Sequence, residues 1–303
     1  MDVPNGKETY PALLKNLDIL CPFGFARMPE NDLTGKQAAT MLQKLCNDAG
    51  SHLWFDLEAF LFNEDQSLYP RPIEQIIHDL NLFDNFEKIL CYQFPGVFND
   101  PKMSIRVGEK RTVDLFEGYQ KYREKILHNR KAGIKDEIIS TKTVQGTRLN
   151  LPYQDVRNKY MNPFWKQKIK EYSEIGLEYL VIMAVANERQ AYYPSSFMKH
   201  AYPSNRQSPV EAIMEAADQY GMKVFMSCGW AVNQDDNIRK PAIKELQQKI
   251  MKETADLFKE HKSFYGWYLP VEDMIAPYLS DHAIEAVNTL AESARNLAPQ
   301  AQI

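Results

Sequence analysis

The chain has 303 residues, of which 44% are hydrophobic and 25% charged, a balance that excludes disorder and suffices for one large α/β domain or two small ones. Its net charge of −4 provides no basic field, which argues against nucleic acid or an anionic membrane surface as a general partner. A neutral or weakly polar substrate suits this balance better. No apolar run approaches the roughly 20 residues that span a bilayer, and the opening residues lack a basic start followed by a hydrophobic stretch, so no membrane insertion is expected.

In chain order, short apolar runs alternate with helical periodicity. Residues 17–21 form the first run, and a helix is predicted over 35–47 with Thr34 as its N-cap. Residues 53–62 read as a strand, Pro72 opens the next helix, and 86–94 read as a further strand. Over 113–128, Leu115, Tyr119, Tyr122 and Ile126 are spaced for one helical face. Residues 129–142 are polar without a strong period and read as a connector.

The second part of the chain repeats the alternation. A strand over 143–150 precedes a helix over 163–175 that ends at Gly176, and 177–186 is a buried strand. Ser208, Pro209 and Glu211 make a capping box with proline in the first turn, and the helix stops at Gly221. Strands over 223–228 and 264–269, helices over 241–261 and 281–297, and the start of one more strand at 300–303 complete the chain. Seven strands and the start of an eighth, separated by helices, match a (β/α)8 TIM barrel better than an open doubly wound sheet. Neither a GxGxxG nor a GxxxxGK[ST] motif is present to favour the open sheet.

Two strand-like segments end in a glutamate among aromatics: residues 264–272, ending Trp267-Tyr268-Leu269-Pro270-Val271-Glu272, and residues 52–60, containing Trp54-Phe55-Asp56-Leu57-Glu58. Splitting an acetal takes one carboxyl to protonate the leaving oxygen and another to attack or stabilise the anomeric carbon, while flat aromatic faces hold the ring. Glu272 and Glu58 are the candidate catalytic pair. Asn187-Glu188, at the end of the 177–186 strand, is a rival acid/base position. A glutamate just past a strand also serves as an exposed cap or ion-pair partner, and that role is the alternative for each.

Trp54, Trp230, Trp267, Tyr268 and Tyr92 are candidate sugar-stacking residues, against the alternative of core packing, and Trp230 stands out because it lies just past a strand. Arg27, Asp56, Gln93, Asn187, Glu188 and Asn233 lie at or near strand ends, where they would bond sugar hydroxyls or simply be solvated. Cys21, Cys46, Cys91 and Cys228 are widely separated, and three of them sit in apolar runs as small hydrophobes. The six histidines lack HxH and HExxH spacing, and no GxSxG occurs, so neither a metal centre nor a serine esterase is expected. No cofactor is implied.

The Trp54–Phe60 and Gly266–Glu272 segments resemble a bacterial family, common in gut Bacteroidetes, of unknown function and regarded as candidate glycoside hydrolases. The resemblance implies a TIM barrel similar to the retaining clan A glycosidases, whose acid/base ends strand four and whose nucleophile ends strand seven. On that register Glu272 takes the first role and Glu58 the second. The order departs from the family: residues 1–128 resemble strands six to eight, 129–142 form the connector, and 143–303 resemble strands one to five, which implies a single circularly permuted barrel domain.

The resemblance further implies an oligosaccharide or glycoside substrate, and a periplasmic, surface-exposed or secreted location after signal removal. A monomer is expected. The competing readings are a carbohydrate-binding barrel without catalysis, and a barrel enzyme of another class acting on a sugar derivative. Retaining chemistry would place the two carboxyl groups about 5 to 5.5 Å apart, and inverting chemistry roughly 6.5 to 9.5 Å apart.

Overall fold

The computed structural model describes residues 6–23, 35–65, 67–82, 86–92, 96–101, 110–132, 142–151, 162–187, 190–229, 240–269 and 280–303. In chain order the elements begin with α1 (Gly6–Leu14), β1 (Ile19–Leu20), α2 (Gly35–Ala49), β2 (His52–Glu58), β3 (Phe60–Phe62), β4 (Leu68–Pro70), α3 (Ile73–Leu82) and β5 (Lys88–Tyr92). They continue through α4 (Lys110–Ala132), β6 (Gly146–Leu149), α5 (Asn162–Glu174), β7 (Tyr179–Ile182), β8 (Ala186–Asn187), β9 (Gln190–Ala191) and β10 (Lys199–His200). The last are α6 (Pro209–Tyr220), β11 (Lys223–Ser227), α7 (Pro241–Phe258), β12 (Phe264–Tyr268) and α8 (Asp281–Leu297). Strands in parallel ladders alternate with helices along the chain, so the fold is α/β.

Two compact units are present: one comprises Met1–Leu20, Leu45–His52 and Leu149–Ile303, the other Cys21–Lys44 and Leu53–Arg148. The division falls inside α2, β2 and β6.

In the second unit, β2 pairs in parallel with β5, which pairs in parallel with β6. From Leu53 onward every residue of β2 is buried, as expected of a parallel strand covered on both faces. Phe55 meets Phe86 with ring centroids 5.1 Å apart on one face, while Trp54, Asp56 and Glu58 occupy the other. All four residues that define the apolar stripe of α4, Leu115, Tyr119, Tyr122 and Ile126, are buried. Tyr119 also anchors the approach to β6, because its hydroxyl accepts from the Val144 amide at 2.8 Å.

The strand predicted over 53–62 is two strands. It breaks at Ala59, whose amide bonds the Tyr92 carbonyl at 2.9 Å, and β3 then pairs antiparallel with β4 through a turn in which Asn63 N donates to Ser67 O at 2.8 Å. Alternating apolar residues run through the break. Periodicity therefore could not show the change of hydrogen-bonding partner.

In the first unit, β7 pairs in parallel with β11, and β11 with β12. The expected capping box is complete: Ser208 Oγ accepts from Glu211 N at 3.1 Å and Glu211 Oε2 accepts from Ser208 N at 2.9 Å. Gly221 ends that helix at φ +66°, in the left-handed region that glycine enters without a Cβ penalty. The run at 300–303 does add to a strand edge, as Trp267 N donates to Gln302 O at 2.7 Å and Gln302 N to Tyr265 O at 3.0 Å. α1 was not legible as a helix, since Pro11 lies within it.

Candidate functional site

The C-terminal parts of β2 and β6 bring three buried charged residues of the second unit, Asp56, Glu58 and Arg148, to one place. Register pairs Asp56 with Leu90 and Glu58 with Tyr92, and Leu90 in turn with Gly146. Trp54, Asp56, Glu58, Tyr92 and Arg148 therefore share one face by the two-residue alternation of strands. Arg148 Nε lies 2.6 Å from Asp56 Oδ2, and the two side chains are 8% and 4% exposed. Asp56 Oδ1 has no hydrogen-bond partner among the described residues.

Burial raises the Asp56 carboxyl from its ordinary 3.8 to about 6; Arg148 opposes that rise and the Glu58 charge adds to it. The same surroundings reach Cys21. Burial of its thiol, helped by the Asp56 charge and opposed by Arg148, pushes Cys21 up to about 12.

Glu58 ends β2 at 9% exposure, and its backbone is held in place by Arg71. Arg71 Nη1 donates to Glu58 O at 2.9 Å and to Asp79 Oδ2 at 2.8 Å, and Arg71 N donates to Ala59 O at 2.9 Å. A buried arginine bonded both to a carboxylate and to a strand-end carbonyl fixes the direction in which Glu58 leaves the sheet. Tyr92, level with Glu58, is half-buried and meets the Phe60 ring edge-on with centroids 5.6 Å apart.

The aromatic candidates differ in access. Trp54 is 4% exposed, and Trp267 of the first unit 2%, with Trp267 Nε1 lacking a hydrogen-bond partner among the described residues and its ring edge-on to Phe264 at 5.3 Å. Tyr268, paired with Ser227, is half-buried. Asn187, also half-buried, pairs with Gln190 in the short β8–β9 hairpin and does not continue β7. Glu272, Glu188, Trp230, Asn233, Arg27 and Gln93 lie outside the described residues, as does the expected cap Thr34.

Sequence reasoning missed Arg148 and Arg71. The signal for Arg148 was present, because an arginine between Thr147 and Leu149 in a strand buried throughout needs a carboxylate partner. Arg71 gave no such signal. Among the described residues, no three His, Cys, Asp or Glu side chains gather as a metal ion would require.

A family model described as "Domain of unknown function (DUF4434)" matches residues 144–302, just over half of the chain. The chain belongs to that family. The matched stretch lies within residues 143–303. No curated protein matches.

Among solved structures, a proposed alpha-L-fucosidase from Bacteroides thetaiotaomicron VPI-5482 aligns at 18% identity and TM-score 0.45 over 52% of this chain, which spans 49% of that one. A Schiff-base-forming fructose-1,6-bisphosphate aldolase aligns at 12% identity and TM-score 0.42, covering 95% of this chain and all of that one. The carboxyl transferase domain of Rhizobium etli pyruvate carboxylase aligns at 9% identity and TM-score 0.42 over 94% of this chain and 45% of that one. No helix among the described residues is long and apolar enough to cross a membrane.

Proposed function

We propose that the protein is a retaining glycoside hydrolase with Glu58 as nucleophile and Glu272 as general acid/base. The observation that carries this reading is Glu58 itself: a carboxylate at the C-terminal end of a buried parallel strand, 9% exposed, its carbonyl bonded by Arg71. Parallel strands of α/β enzymes present their chemistry at that end. Asp56, two residues earlier, is paired with Arg148, so Glu58 does not face an unpaired second carboxylate.

In the proposed reaction Glu272 protonates the glycosidic oxygen as the bond to the anomeric carbon breaks, and Glu58 attacks that carbon to give a glycosyl ester. Water deprotonated by Glu272 then cleaves the ester, returning both carboxyls to their starting forms. Tyr92 and Tyr268, both half-buried, are the described aromatics proposed to meet the substrate. The reading carries with it a single (β/α)8 barrel taken in permuted order, from residue 143 round to 128, and a monomer acting on an oligosaccharide or glycoside. Membership of a family of unknown function is compatible with this reading and adds no mechanism.

The test is labelling with a panel of activated 2-deoxy-2-fluoro glycosides followed by peptide mapping. A covalent sugar on Glu58 is the expected result. Glu58→Ala and Glu272→Ala should each lose turnover by orders of magnitude, because each removes a transition-state role, with thermal unfolding as the control for folding. Full turnover in both variants would overturn the assignment.

A further inference from the structure

Phe23 is the most exposed large hydrophobic residue among those described, at 57%. It is not on a remote loop. A parallel bridge pairs Phe23 with Asp56, and Asp56 N donates to Pro22 O at 3.0 Å, which puts residues 21–23 alongside β2 within the second unit. Paired residues in a parallel ladder project from the same face, and so do residues two apart. Cys21, two residues before Phe23, agrees with this face, since the Asp56 and Arg148 charges both bear on its thiol. Phe23 thus stands on the side of the sheet that carries Asp56 and Glu58, one step along the strand before Glu58.

We propose that Phe23 is the aromatic platform on which a pyranose ring lies in this site, an assignment that rests on the glycosidase reading. Phenylalanine has no polar handle, so a ring kept in water beside a carboxylate complements a ligand with an apolar face and a polar rim. A pyranose is such a ligand, with C–H bonds on its face and hydroxyls at its edge. Trp54, the other aromatic residue of that face on β2, is 4% exposed and offers no comparable surface. Phe62, 46% exposed, is partly engaged with Phe60, with ring centroids 5.5 Å apart and planes at 87°.

Phe23→Ala, Phe23→Leu and Phe23→Tyr are compared with the wild-type chain on a panel of 4-nitrophenyl glycosides, reading kcat and KM separately with thermal unfolding as control. Phe23→Ala is expected to raise KM by about 3- to 10-fold with kcat little changed, the range that an aromatic contact supplies. Phe23→Tyr should retain the wild-type KM, Phe23→Leu should fall between, and the unfolding midpoint should be unchanged because the ring is largely in water. A wild-type KM in Phe23→Ala, with Glu58 still labelled by fluoro-sugars, overturns the platform and leaves the hydrolase reading intact. If Phe23→Ala keeps KM but turns a self-associating protein into a monomer, the ring is a contact between copies and the proposal is wrong. If no glycoside is cleaved and Glu58 is never labelled, the hydrolase reading fails and the platform falls with it.

Discussion

Arg148 Nε stands 2.6 Å from Asp56 Oδ2 with both side chains buried, and this pair has no counterpart in a simple alternation of apolar and polar residues. Two charges taken out of water cost several kcal/mol each, which the attraction between them only partly offsets. The pair sits beside Glu58, where the proposed chemistry is placed, and ionisable groups shifted by burial cluster at functional sites.

The pair gives the protein a pH signature. Asp56 holds its proton up to about pH 6 in the folded state and to 3.8 as an ordinary carboxyl. Between those values the native state binds the extra proton, so this group makes stability fall as pH rises, by up to about 1.4 kcal/mol per pH unit. Asp56→Asn should remove that contribution, seen as a flatter or rising stability curve from denaturant unfolding across the window. Identical slopes in wild type and variant would refute it. Arg148→Met, which leaves Asp56 buried and unpaired, should cost about 3–5 kcal/mol where Asp56 is ionised, and less at pH 5.

The thiols should be inert. Cys21 is raised to about 12, and burial lifts Cys91 and Cys228 well above the usual thiol range, while Cys46 is buried. Since the thiolate is the reacting form, native labelling by iodoacetamide at pH 8 should run roughly a hundredfold or more slower than in the unfolded chain. One cysteine alkylated at the unfolded rate would contradict the burial.

Lys168 is 1% exposed on α5, 3.1 Å from Glu171 and over the Phe164 ring at 5.8 Å. Lys168→Ala takes that cation away from the Glu171 carboxylate, which Gln167 Nε2 also reaches at 3.1 Å, and should cost about 3–5 kcal/mol. Pairing Lys168→Met with Glu171→Leu should recover most of that loss. Denaturant midpoints at constant m-value measure both; a double variant as unstable as the single one would show that the cost is packing and not an unpaired charge.

Gly266 is required by proximity. A Cβ there would sit 2.5 Å from Gln302 O and 2.8 Å from the Phe225 ring. Gly266→Ala should therefore cost about 1–3 kcal/mol and loosen the C-terminal residues from β12. Hydrogen exchange at the Trp267 and Gln302 amides, bonded across that edge at 2.7 and 3.0 Å, should accelerate; unchanged protection would mean that the ladder gives way elsewhere.

What the sequence determined by itself is local and periodic. The buried face of α4, the capping box at Ser208 and Glu211, the left-handed stop at Gly221 and the apolar strands β2, β7 and β11 are each specified within a few residues by spacing, caps and runs. Tertiary structure alone decided that β2 stops at Glu58, because the break is a change of ladder partner and not of pattern. It also decided that Arg148 reaches back to Asp56, 92 positions earlier in the chain, that Arg71 pins the Glu58 carbonyl, and that Phe23 lies beside Asp56. Those are long-range pairings, selected by sheet register and by the cost of leaving a buried charge alone, and neither is written in the neighbourhood of any one residue.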